Sequence, residues 1–141
     1  MTTIAARDGV MAADSQCTGD YISRVRKIHC LPDGSLAAGS GVSASIYAAI
    51  QWVISGRQGD APDIDGSSIL FLRPDGSLWL ADGRWPEFPM LDKYVSIGSG
   101  SMAAQTAMRL GKGAAEAVRI ACDIDDGSSA PVHAVKLKTV N

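Results

Sequence analysis

The sequence is poor in the residues that most catalytic centres use. It has two histidines, His29 and His133, far apart and without ligand-type spacing. Its three cysteines, Cys17, Cys30 and Cys122, are an odd number with no CxxC pair. A metal site built from His and Cys is therefore not expected. Unpaired thiols fit a reducing cytoplasm better than a disulfide framework. Gly39-Ser40-Gly41 is not the G-x-S-x-G elbow of α/β-hydrolases, which argues against a Ser-His-Asp enzyme. The net charge is only −2, so nothing points to nucleic acid or to an acidic membrane surface. No apolar run approaches the roughly 20 residues of a membrane-spanning helix. The first residues lack the basic flank and apolar stretch of a signal peptide. These absences predict a cytoplasmic protein that requires no cofactor and no catalytic metal.

What is present suits one domain. The chain has 141 residues, with 46% apolar and 20% charged side chains, enough for a sizeable core. No linker divides it, so residues 1–141 are expected to form a single unit. Thr3–Ala6 and Val10–Ala13 read as a hairpin around Arg7-Asp8-Gly9. That hairpin places Thr2 and Asp14 at the same end. Residues 14–20 read as a polar loop and Tyr21–Leu31 as one extended segment. Pro32-Asp33-Gly34 and Pro74-Asp75-Gly76 are turns of one type, each between short strands. Ser43 is the expected N-cap of a helix carrying Ile46, Ala49, Ile50, Val53 and Ile54 on one face. Gly56 stops that helix. Strands are expected at Ile69–Leu72, Leu78–Leu80 and Tyr94–Ile97, with Ala81–Pro89 as a loop. Two further helices, from Ser101 to Leu110 and from Ala114 to near Asp125, precede a last strand over Val132–Val140. Hairpins combined with apolar helix faces predict an α+β fold of antiparallel sheets covered by helices.

The chemistry starts at Thr2, directly behind Met1. Aminopeptidases normally remove a Met that precedes a small residue. Removal leaves Thr2 with both a hydroxyl and a free α-amine, a nucleophile and a base in one residue. An unperturbed α-amine titrates at about 7.7–8.0, so much of it is unprotonated near neutral pH. Lys27 is either an outward-facing strand lysine or a cation facing Thr2 and held by Asp14. In the second case it stabilises a developing alkoxide and lowers the amine pKa. Gly39 is a turn glycine, or a backbone N–H aimed at an oxyanion. Gly98-Ser99-Gly100-Ser101-Met102-Ala103 fits G-x-G-x-x-A, but the βαβ unit and acidic residue of a dinucleotide site are missing. Ser99 instead offers a hydroxyl to the Thr2 amine. Asp125 and Ser128, three residues apart at a helix end, are placed to face one point. Acids are poorly suited to that end of a helix, which hints at a use for them.

These pieces together resemble the proteasome β-subunit family, and most of all its bacterial HslV-type members. Thr2-Thr3-Ile4 is similar to the mature Thr-Thr-Ile start. Asp14-Ser15-Gln16-Cys17-Thr18 resembles the Asp-Ser-Arg-Ala-Thr segment, and Lys27-Ile28-His29-Cys30-Leu31 the Lys-Ile-x-x-Leu strand. Ala38-Gly39, Gly98-Ser99-Gly100 and Asp125-Asp126-Gly127-Ser128 resemble the remaining motifs, in the same order. The resemblance implies an N-terminal-nucleophile (Ntn) hydrolase with a four-layer αββα sandwich. It implies a threonine peptidase whose homo-oligomeric rings enclose a chamber for peptide or unfolded-protein substrates, as well as an ATPase unfoldase as a possible partner. It makes Thr2 the nucleophile and base, with Asp14 and Lys27 the charge pair and Gly39 the oxyanion donor. Ser99, Asp125 and Ser128 become the network around the amine. Thr18 would bind substrate backbone, while Val25, Ala37 and Gly41 would shape a roomy specificity pocket. In HslV-type members the turn that corresponds to Asp126–Ser129 can hold a structural monovalent cation.

Three departures are visible. The segment between Gly39 and Ile97 leaves room for one helix, so one outer layer is expected to be thinned. Gln16 stands where arginine is common, and Ser129-Ala130 replaces a Gly-Gly pair. Two other readings follow from the same residues: a catalytically silent ring or scaffold subunit, and an amidohydrolase acting on small molecules.

Overall fold

The computed structural model describes residues 1–138. The chain opens with β1 (Ile4–Arg7) and β2 (Val10–Ala13), an antiparallel hairpin. Its turn, Asp8-Gly9, has φ of 53° and 74°, the left-handed pair that a type I′ hairpin requires. β3 (Gln16–Thr18) then pairs with β4 (Ile22–Arg24). This corrects two expectations: residues 14–20 are not all loop, and Tyr21–Leu31 is not one strand. The ladder stops after Arg24 and resumes at β5 (His29–Cys30). In the gap Ile28 turns into the core, and Lys27 leaves the sheet to reach Asp14.

β6 (Leu36–Ser40) leads into α1 (Ser43–Ile54). The helix begins where expected, but its N-cap is Val42, which makes no side-chain cap bond. Ser43 is the first helical residue. β7 (Ser68–Leu72) and β8 (Leu78–Asp82) form the next hairpin. β9 (Phe88–Pro89) pairs with β8, inside a segment expected to be loop. β10 (Tyr94–Ile97), α2 (Ser101–Arg109) and α3 (Ala114–Ile124) follow as expected. β11 (His133–Lys136) is shorter than the predicted Val132–Val140. Residues 139–140 of that prediction lie outside the described residues. The two Pro-Asp-Gly turns are built alike. Asp33 and Asp75 each accept the N–H of the serine two residues on, at 2.9 Å.

The strands form a sheet of order β10-β1-β2-β11, a sheet of order β5-β6-β7-β8-β9, and the β3-β4 pair, all antiparallel. Three apolar clusters record the stacking. Ile4, Ala6, Met11 and Ala13 meet Leu36, Ala38, Leu70 and Leu72 between the two large sheets. Ala5 and Ala12, on the other face of the β1-β2 hairpin, pack against Ala104, Met108, Val118 and Ala121 of α2 and α3. Ala37, Ile69 and Phe71, on the far face of the five-stranded sheet, pack against Ala49 and Ile50 of α1. Alternation along each strand sends successive side chains to opposite clusters. The fold is thus α+β with antiparallel sheets, and its stacking is compatible with a layered sandwich. Among the described residues α1 alone covers its side, as the short Gly39–Ile97 segment predicts. No helix among them is long and apolar enough to cross a membrane.

Candidate active site

The site grows out of the open end of the β1-β2 hairpin. One step beyond the ladder, Thr3 faces Asp14 on one side and Gly98 on the other. The Thr3 N–H donates to Asp14 Oδ1 at 3.0 Å, and Asp14 N–H returns a bond to the Thr3 carbonyl at 3.1 Å. Asp14 is fully buried, yet its carboxylate is well supplied with donors. Oδ2 accepts the backbone N–H of Gln16 at 3.0 Å and of Ser129 at 3.1 Å. Oδ1 also receives Lys27 Nζ at 2.9 Å. Four donors, one of them charged, meet the requirement that a buried charge be paired and hydrogen-bonded.

Lys27 Nζ reaches Thr2 Oγ1 at the same distance, 2.9 Å. The ammonium therefore sits between the buried carboxylate and the threonine hydroxyl. The Thr2 nitrogen donates to Ser99 Oγ at 3.2 Å, and Ser99 donates to Asp125 Oδ2 at 2.7 Å. Ser128 also donates to Asp125 Oδ2, at 2.6 Å. A hydroxyl has one proton, so Thr3 Oγ1, 2.6 Å from Ser128 Oγ, is the donor of that pair. Partial burial pushes the Asp125 carboxyl upward, but the bonds from Ser128 and Ser99 outweigh it and hold the group below its ordinary range. An ionised Asp125 thus fixes both serine hydroxyls as donors. The Ser99 lone pairs remain free to face the Thr2 nitrogen.

Gly98 and Gly100 explain the pattern that imitates a dinucleotide fingerprint. Gly98 has φ of +99°, and a Cβ there would lie 2.0 Å from the Thr2 carbonyl oxygen. A Cβ on Gly100 would lie 1.9 Å from Thr3 Oγ1. Gly98 makes room for the Thr2 backbone and Gly100 for the Thr3 side chain, not for a pyrophosphate.

Gly39 lies within β6, not in a turn. The Leu31 N–H donates to the Ser35 carbonyl at 2.8 Å, so Ser35, Ala37 and Gly39 turn their backbone groups toward β5. β5 has only His29 and Cys30, paired with Ala37 and Leu36. Opposite Gly39 the ladder has ended, and its N–H faces the cavity beside Thr2. That is where an oxyanion donor would stand.

This cavity has a volume of about 380 Å³ and is lined by Thr2, Lys27 and Gly39, with Thr18, Val25 and Gly41 among its walls. Of the expected pocket residues Ala37 is the exception. It is fully buried in the cluster beneath α1 and does not line the cavity. Its side chain shares a face of β6 with Gly39, and Ile46 of α1 covers that face: a Cβ on Gly39 would lie 2.6 Å from Ile46. His29, Ile46 and Tyr47 take the wall that Ala37 was expected to form.

Sequence reasoning missed Thr3, Gln16 and Ser129. Thr3 closes the Ser128 network, and Ser129 supplies a donor to Asp14. Gln16 Nε2 bridges Thr18 Oγ1 and the Asp126 carbonyl, both at 3.1 Å, and so ties the cavity wall to the Asp125 turn. The turn proposed for a cation is itself tied into the site. Its Asp126 carbonyl accepts from Gln16 and its Ser129 carbonyl from the Ser15 N–H. Among the described residues no group of His, Cys, Asp and Glu is arranged to hold a metal.

No protein-family model and no curated protein matches this sequence. Solved structures do share its fold. Thiobacillus denitrificans BPH in complex with epoxomicin has a TM-score of 0.71 at 18% identity, over 97% of this chain and 98% of that one. A second structure of Thiobacillus denitrificans BPH has a TM-score of 0.67 at the same identity and coverage. At this identity the likeness concerns the fold alone.

Proposed function

We propose that this chain is an N-terminal-nucleophile hydrolase with an αββα sandwich of the proteasome β-subunit and HslV type. In this reading it is a threonine peptidase working in a ring assembly. The observation that carries it is the Lys27 ammonium, 2.9 Å from both Thr2 Oγ1 and Asp14 Oδ1. A buried ion pair aimed at an N-terminal hydroxyl has little purpose in a purely structural setting. That a protein of this fold is found in complex with epoxomicin supports a ligand-accepting cavity.

The chemistry follows from the geometry once the Met1–Thr2 bond is cleaved. The freed amine lies beside Ser99 and takes the Thr2 hydroxyl proton, while Lys27 stabilises the alkoxide. Thr2 Oγ1 attacks the substrate carbonyl carbon. The oxyanion that forms accepts the Gly39 N–H, a donor typically worth about 2.7–4 kcal/mol in the transition state. The C–N bond breaks and the leaving amine takes the proton, leaving an ester on Thr2. Water, deprotonated by the same amine, releases the acid and restores the hydroxyl.

Intact mass and active-site labelling test this reading. The expected result is a mass without Met1 and a single adduct on Thr2 from an electrophile that reacts with N-terminal threonine. Thr2→Ala and Lys27→Ala should each abolish hydrolysis of an unfolded protein while the assembly persists in native mass spectra. Full activity in either variant would sink the assignment.

The silent-subunit reading turns on Met1. While Met1 is attached, the Thr2 nitrogen is an amide, and Thr2 Oγ1 donates to the Met1 carbonyl at 2.6 Å. Retention of Met1 in protein from its native host would support a scaffold role. A closed monomer or dimer that cleaves small amides would support the amidohydrolase reading instead.

A further inference from the structure

The cavity beside Thr2 carries charge of one sign. Its lining includes Arg26 and Lys27, and no aspartate or glutamate, while burial lowers the pKa of the His29 imidazole and favours its neutral form. This is a local asymmetry, because the whole chain has a net charge of −2. Asp14 lies beneath the cavity floor, fully buried and bound to Lys27, so Lys27 is already committed. Arg26 is not. It is exposed, and among the described residues it enters no ion pair, side-chain hydrogen bond or ring stack. Its neighbour Arg24, by contrast, donates to the Ala130 carbonyl at 2.8 Å.

The first turn of α1 opens on the same space. Gly41, Ser43 and Tyr47 line it, the N-cap Val42 offers no side-chain acceptor, and no acid occupies the first turn. The Val42 N–H donates to Ser67 Oγ at 3.0 Å, but no acidic side chain offsets the positive end of that helix dipole. Arg26 and the first turn of α1 line one cavity whose remaining wall is largely apolar, with Val25 and Ile46.

We infer that the cavity selects substrates bearing a carboxylate on the acyl side of the bond attacked by Thr2, and that Arg26 is the residue that recognises it. A guanidinium fork matches a carboxylate with two parallel donors. The carboxylate comes from an aspartate or glutamate side chain in a peptide, or from the second carboxyl of a small diacid amide. The inference rests on the hydrolase reading for its chemistry, but not for its binding step.

The test therefore separates binding from turnover. Fluorescent peptides that differ only in Glu, Gln, Leu or Lys at the acyl-side position, together with a glutaryl amide, are titrated against the Thr2→Ala chain by anisotropy. The Glu peptide should bind about tenfold tighter than its Gln counterpart, and Arg26→Gln should erase that ratio while leaving the Leu peptide unchanged. The glutaryl amide distinguishes the two carboxylate sources, since equal affinity for it would identify the small diacid. Hydrolysis by the mature chain with no Glu-over-Gln preference would overturn this inference and leave the hydrolase reading intact. A Glu preference that survives Arg26→Gln would overturn it as well. A Glu preference that Arg26→Gln erases, in a chain that cleaves nothing, would retain the binding site and sink the hydrolase reading.

Discussion

Gly98 lies directly against Thr2, so close that a single added carbon would sit 2.0 Å from the Thr2 carbonyl oxygen. The clash is with backbone, and Gly98 also has φ of +99°. Gly98→Ala should therefore cost on the order of 3 kcal/mol, through overpacking together with backbone strain. Gly76→Ala is the control. It has a similar φ of +87° but open space around it, so about 1 kcal/mol is expected. Urea unfolding of the two variants measures the difference. Equal costs would mean that Gly98 is not packed against Thr2.

The Asp14–Lys27 pair should behave as a unit. Removing either partner leaves a charge without its counterpart in a site where Asp14 is fully buried. Asp14→Ala and Lys27→Ala should each destabilise the fold by about 3 kcal/mol. The double variant should cost clearly less than the sum of the two. A double-mutant cycle on denaturant midpoints checks this, and strict additivity would show that the two groups do not interact.

Acid should weaken the fold partly through Asp125. Burial pushes its carboxyl upward, but the bonds from Ser128 and Ser99 outweigh it and hold the group below the usual carboxylate range. A depressed folded pKa contributes stability that is fully present above the unfolded value and is lost as pH falls through the folded one. Unfolding free energy should thus drop as pH falls below about 4, and less steeply in Asp125→Asn. The same slope in both proteins would remove Asp125 from the network.

The cysteines should differ in reactivity. Burial, with the nearby charges of Asp14, Asp123 and Asp125, pushes the Cys122 thiol up to about 11. Cys30 is exposed. Iodoacetamide at pH 8 should modify Cys30 and leave Cys122 untouched until the chain unfolds, because the thiolate is the reactive form. Peptide mapping by mass spectrometry reads this directly.

Val42 is an N-cap without a capping side chain. Val42→Ser should stabilise the chain by about 1 kcal/mol, seen as a higher thermal midpoint. No gain would mean that the first-turn N–H groups already have acceptors.

Much of this arrangement was legible in the sequence, for reasons that are local. Asp8-Gly9 dictates a type I′ turn, which places Thr2 and Asp14 together at one end. The period of Ala114, Ala117, Val118 and Ala121 marks the buried face of α3. What escaped depends on pairing and packing that the letters alone do not show. Gln16-Cys17-Thr18 reads as loop because its polar letters say nothing about pairing with Ile22–Arg24. Lys27 sits outside any strand, pulled out by a carboxylate thirteen positions away. Ala37 follows the alternation of β6 into the core beneath α1, and which face of β6 meets α1 is set by packing. Thr3 reads only as the start of the first strand, and its partner Ser128 lies 125 positions on.

That separation has a consequence for when the site comes into being. The hairpin that holds Thr2 and Asp14 closes across two residues and forms early and cheaply in entropy. The bonds from Thr2 to Ser99 and from Thr3 to Ser128 span 97 and 125 positions, among the longest loop closures the chain makes, and such contacts form late. A nascent or half-folded copy therefore carries the threonine without the surroundings that would sharpen it. In the hydrolase reading proposed above, competence at Thr2 becomes a report that α2, α3 and the Asp125 turn have all arrived.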